Sequence, residues 1–170
     1  MKKFVQLTLL GMMIVSLSVN AQQDAKSFVQ QYKNQDGFTV ITIGKPAIRM
    51  ASLFVRASAD KDAAQALKYV EALQILTFNR GWDNSHAEKF NSEALKFFDT
   101  NQFEEMIEVV EPDNTVKILC KIESETITDM IILNRSKRDT SVDMVCIKGR
   151  FKLEDIHSMS SNFGVKVAGM

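Results

Sequence analysis

The sequence predicts an α+β domain, and two observations carry the prediction. The first half mixes helix-period and strand-period segments. The last third runs as four short strand patterns joined by turns and followed by one more helical pattern. Strands gathered into a run, rather than alternating evenly with helices, argue for α+β. The expected architecture is a single-domain sandwich. It has one antiparallel or mixed sheet ending in a four-strand meander, with helices mainly on one face. The expected boundaries are a signal peptide over 1–21, one α+β domain over 22–163, and a loose C-terminal tail over 164–170.

The chain opens with "MKKFVQLTLLGMMIVSLSVNAQQ". Lys2 and Lys3 precede an apolar stretch from Phe4 to Val19, interrupted by Thr8, Ser16 and Ser18. That stretch falls short of the about 20 apolar residues a membrane span needs. Val19-Asn20-Ala21 places small residues where signal peptidase reads them, so cleavage is expected at about Ala21. The expected location is periplasmic or secreted, with no stable membrane span after cleavage. No cysteine follows the apolar stretch to accept a lipid.

Phe28, Val29 and Tyr32 then recur at helical spacing, and Gly37 can end that short amphipathic helix. "FTVITIG" alternates β-branched and aromatic residues as a strand does. Gly44-Lys45-Pro46 breaks it, and proline suits the first turn of a helix because its missing N–H would be unpaired there anyway. The next helix carries Ile48, Met50, Ala51, Leu53, Phe54 and Val55, which predicts deep burial. "ASADKDAAQALK" is small and polar, with Asp60 able to cap a brief turn. "YVEALQILTFN" reads as a buried strand.

"SHAE" at 85–88 fits a capping box, with Ser85 and Glu88 each taking an orphan N–H. Ala87, Phe90, Ala94, Phe97 and Phe98 line one face of the helix behind it. "FEEMIEVVE", "TVKILCKIE", "TITDMIILN" and "SVDMVCIKGRF" follow as strands. Their short connections force antiparallel hairpins. With Ser124-Glu125 as a two-residue turn, Glu123 faces Thr126, Ile122 faces Ile127, Cys120 faces Asp129 and Ile118 faces Ile131. "KLEDIHSMSSNFG" closes as a helix with Leu153 and Ile156 inward.

The chain has 21 basic and 21 acidic residues, and loss of Lys2 and Lys3 leaves a slight acidic excess. Such a balance gives no electrostatic reason to bind nucleic acid. Aromatic residues are 11 Phe against one Trp and two Tyr, a mix that favours core packing over base or sugar stacking.

The two cysteines, Cys120 and Cys146, raise the question of a disulfide or redox pair. In a simple meander they lie two strands apart, roughly 10 Å. A disulfide needs Cα atoms within about 7 Å. The parity of the second hairpin leaves open whether they share a face. Two small apolar residues in a sheet is the better reading. There is no C-x-x-C, and His86 and His157 have no ligand spacing to a cysteine, so no metal is expected.

"FTVITIGKPAIRMA" with "KILCKIES", "ITDMIIL" and "MVCIKGRFKLEDI" resembles the domain-of-unknown-function family numbered 4252, common in Bacteroidetes. The terminal pattern is Ile147, Gly149, Phe151, Leu153, Asp155 and Ile156. The resemblance implies an exported single-domain envelope protein with no established activity. Some relatives look like lipoproteins and some lie near sigma-factor genes. Lipid anchoring does not carry over, for want of the cysteine. No catalytic residue is transferred.

The remaining motifs read more simply as structure than as chemistry. Gly44-Lys45-Pro46 lacks the glycines and the Lys-Ser/Thr pair of a phosphate loop. Asp83, Ser85 and His86 are sequence neighbours, which rarely converge as nucleophile and base. Glu104, Glu105, Glu108 and Glu111 read as a solvated strand face, with Glu104 and Glu108 on one side and with Lys117 and Lys121 as charge partners. The loop Arg80, Gly81, Trp82, Asp83 is the candidate interaction surface, since a lone Trp beside a Gly can anchor a partner. The expected function is therefore a non-enzymatic interaction or sensing module of the cell envelope. It would have a protein or small-molecule partner and no cofactor. The alternative is a periplasmic hydrolase using carboxylates from strand ends. A thiol redox protein would need Cys120 and Cys146 close together and accessible.

Overall fold

The computed structural model of the chain describes residues 24–57, 67–78 and 84–152. Within them the order is α1 (Ala25–Tyr32), β1 (Phe38–Gly44), α2 (Lys45–Ala57), β2 (Val70–Phe78), α3 (Asn84–Thr100), β3 (Glu104–Val110), β4 (Asn114–Glu123), β5 (Thr126–Ser136) and β6 (Val142–Phe151). A helical stretch at 67–69 leads directly into β2. The signal segment, the Asp60 turn, the Arg80–Asp83 loop, the last helix and the tail expected from the sequence lie outside the described residues.

The six strands form one sheet in the order β1-β2-β6-β5-β4-β3. Every neighbouring pair is antiparallel, so the fold is α+β with the expected four-strand meander β3 to β6. β6 would be the meander's edge. Instead β2 pairs with it along its length, and β1 pairs outside β2. This placement pairs the N–H and C=O groups of the β6 edge and moves the free edge on that side to β1, which is largely exposed.

The β4–β5 turn has Ser124 at φ 49° and Glu125 at φ 66°. Two left-handed residues make the turn whose twist matches the strands. Glu123 faces Thr126 and Ile122 faces Ile127, as the sequence predicts. Beyond that the register slips. Cys120 faces Met130 rather than Asp129, and Ile118 faces Ile132 rather than Ile131. The cause is a bulge that leaves Thr128 unpaired, its hydroxyl donating to the Lys121 carbonyl at 3.5 Å. A second irregularity, between Glu105 and Ile107 on β3, changes parity there. It groups Glu105 with Glu108 instead of Glu104. Lys117 Nζ reaches both carboxylates, at 2.7 and 2.8 Å.

Side chains leave the sheet on two faces and build two cores. One gathers Phe28, Val29, Ala87, Phe90, Ala94 and Phe98 from α1 and α3 over Leu76, Leu119, Ile131, Leu133 and Met144. Phe28 touches Tyr32, Phe90, Phe97 and Phe98, with ring centroids 4.8 to 6.1 Å apart. Truncating such a ring to alanine costs about 3–5 kcal/mol. The other core collects Ile48, Ile118, Cys120, Met130, Ile132, Ile147 and Phe151. α1 and α3 thus share one face, while α2 lies against the other.

Two local expectations are corrected. α2 is not deeply buried along its described side chains: Ile48 is inside, but Met50 and Leu53 are 61% and 63% exposed. It packs at the β1–β2 end of the sheet. Nor does α3 begin behind Ser85, because the helix already includes Asn84. Glu88 instead accepts from Asn84 Nδ2 at 2.8 Å, and Arg135 of β5 donates to Asn84 Oδ1 at 2.5 Å. A buried arginine thereby ties the first turn of α3 to the sheet.

Candidate functional site

Among the described residues the α1–α3 face carries a cavity at each end of α1. The larger, about 370 Å³, opens beside the C-terminal end of the helix. Its making is local. Tyr32 ends α1, and left-handed Asn34 (φ 71°) and Gly37 (φ 85°) turn the chain into Phe38 at the start of β1. Phe38 pairs with Phe78 across the β1–β2 ladder, rings 5.2 Å apart. Phe90 of α3 closes the group, 5.0 Å from Tyr32 and 5.1 Å from Phe38. These four rings form the wall. Gln35, Asp36, His86, Lys89 and Glu93 form a rim carrying both signs of charge. Tyr32 donates its hydroxyl to Glu93 Oε2 at 2.9 Å. Burial first, and then Glu93, push the phenol's pKa well above its ordinary value, so it stays a neutral donor.

The smaller cavity, about 130 Å³, lies under the N-terminal end of α1. Asp24 caps the helix, accepting from Ser27 N at 3.0 Å, and its other oxygen meets Lys148 Nζ at 3.7 Å. Thr42, Gln74 and Asp129 reach the cavity from β1, β2 and β5, with Cys146 among them. Asp129 is 6% exposed. Burial is the main cause that raises its pKa. Lys148, a Thr128 hydrogen bond and Lys121 oppose the rise, and Asp24 adds to it.

The thiols are free, and both are buried. Cys120 belongs to the core on the α2 face and Cys146 to the core under α1 and α3. Burial, with Glu104 second, pushes the Cys120 thiol up to about 12. Burial, with Asp129 second, raises Cys146 as well. Neither is a ready thiolate. Among the described residues no group of three or more His, Cys, Asp or Glu could hold a metal ion. No helix there is long and apolar enough to cross a membrane.

The candidate loop Arg80, Trp82, Asp83 lies outside the described residues. Its flanks do not: Phe78 and His86 both line the aromatic cleft. Of the other residues singled out in the sequence, Glu105 and Glu108 are drawn together on Lys117, whereas Ser85 lies outside the lining of either cavity. Sequence reasoning missed Tyr32, Gln74 and Asp129 as cavity residues. A signal existed for the last two, each a polar residue inside a strand otherwise rich in apolar ones, "YVEALQILTF" and "TITDMIILN".

No curated protein and no solved structure matches the chain. A family model does, over residues 32–159, a span that holds all six strands and the whole lining of the aromatic cleft. The chain that builds this sheet and cleft belongs to the domain-of-unknown-function family DUF4252.

Proposed function

We propose that this is an exported cell-envelope protein acting as a non-enzymatic binding module, with the aromatic cleft between α1 and α3 as its binding surface. The cleft's composition carries the reading. A wall of four aromatic rings under a rim of His86, Lys89, Glu93 and Asp36 suits an apolar side chain flanked by charge, as a partner peptide presents. Its volume falls within the roughly 300–1,000 Å³ typical of ligand sites. Neither serine nor cysteine lines it. The N-terminal targeting pattern supports export. The hydrolase reading finds less support, because Glu105 and Glu108 are both engaged by Lys117.

Two measurements test the proposal. The mass of the protein recovered from cells should correspond to a chain beginning at Gln22; an unprocessed cytoplasmic chain overturns the export half. Amide shifts on adding short Phe- or Leu-containing peptides should map to Asp36, Phe38, His86 and Lys89, and the rim variant Lys89→Glu should weaken them. Shifts absent from these residues overturn the binding half.

A further inference from the structure

The small cavity at the other end of α1 is a second site, independent of the cleft. Its groups are unusually deep for a surface feature. Asp129 and Gln74 are each 6% exposed. The Gln74 amide is held from one side, Nε2 donating to Thr42 Oγ1 at 3.3 Å. The two ammonium groups near Asp129 form their closest ion pairs elsewhere. Lys148 meets Asp24 at 3.7 Å and Lys121 meets Glu123 at 4.0 Å. A carboxylate and an amide from two deeply set residues thus line one space that opens to solvent.

The cavity offers opposite charges across a short span. Acceptors come from Asp129 and Gln74, and cationic groups from Lys148 and Lys26. Its 130 Å³ corresponds to about four water molecules, each taking roughly 30 Å³ of liquid. We propose that this cavity binds a small zwitterion, a free α-amino acid of about the size of glycine or alanine. Its ammonium meets Asp129 and Gln74, and its carboxylate meets Lys148. Charge-assisted bonds at both ends give selectivity over molecules that carry only one of the two groups.

The test uses the full chain and glycine as probe, followed by amide shifts and calorimetry. Glycine should shift Gln74, Asp129 and Lys148, while acetate and methylamine, each half of the ligand, should bind at least about tenfold more weakly. Asp129→Asn and Lys148→Met should each lose about tenfold or more in glycine affinity. Lys148 is half exposed, so its variant keeps the measurement decisive if Asp129→Asn does not fold. No shift with millimolar glycine overturns the proposal, as does equal binding of acetate or unchanged affinity in both variants. Tighter binding of glycylglycine than of glycine overturns the free amino acid in favour of a peptide terminus.

Discussion

Cys120 and Cys146 point to opposite faces of the same sheet. Cys120 faces Met130 on β5, and Met130 faces Ile147 on β6, so Cys146 stands one residue out of phase with Cys120 and two strands away. Successive side chains on a strand alternate faces, and no rotamer change carries a sulfur through the sheet. Thiol counts on the denatured protein should therefore be two with or without prior reductant. In the folded state, reaction with a thiol reagent should be slow and limited by opening of the sheet, since both groups are buried and their pKa values raised. A lower count without reductant would contradict the parity.

Gly149 should tolerate no side chain. A Cβ there would lie 2.2 Å from the Tyr69 carbonyl oxygen and 2.5 Å from the Phe151 ring. The backbone oxygen cannot move without breaking the entry to β2, where Val70 pairs with Gly149 itself. Gly149→Ala should destabilise by about 2–3 kcal/mol, read from the urea midpoint at unchanged slope.

The β4–β5 turn should be improvable. Ser124 and Glu125 both hold positive φ, a conformation that Asn-Gly adopts with less strain. Replacing the pair with Asn-Gly should add about 0.5–1 kcal/mol of stability and leave the strand register unchanged. A loss of stability would mean that the turn is not of this type.

Asp129 should make stability depend on pH in a definite direction. Its folded pKa is raised, so the native state holds the proton more tightly than the unfolded chain. The contribution is fully present below the unfolded value, near 3.8, and is lost as pH rises through the folded value. Asp129→Asn should therefore raise the melting temperature at neutral pH, with the advantage shrinking as the solution is acidified below the unfolded value. An advantage that grows on acidification would contradict the raised pKa.

Much of the fold was legible locally. Phe28, Val29 and Tyr32 marked the buried side of α1, and Ala87, Phe90, Ala94 and Phe98 that of α3, because helical spacing alone puts them together. The four meander strands followed from apolar runs and their turns. What misled was parity. One unpaired residue, Thr128, turned Cys120 toward Met130, and the irregularity on β3 brought Glu105 and Glu108 to the same lysine. Bulges leave no periodic trace, so a strand pattern cannot reveal them.

By itself the sequence determined the element types, the antiparallel meander and the apolar faces of α1 and α3, all set by contacts between near neighbours. Only the tertiary structure decided that β1 and β2 extend the sheet beyond β6, that α2 keeps an exposed flank, and that two cavities open at the ends of α1. These depend on pairings between residues far apart in the chain, such as Leu76 with Met144 and Phe38 with Phe78. Such pairings form because they satisfy the backbone groups of the β6 edge and enlarge both apolar faces of the sheet, a comparison that local periodicity does not contain.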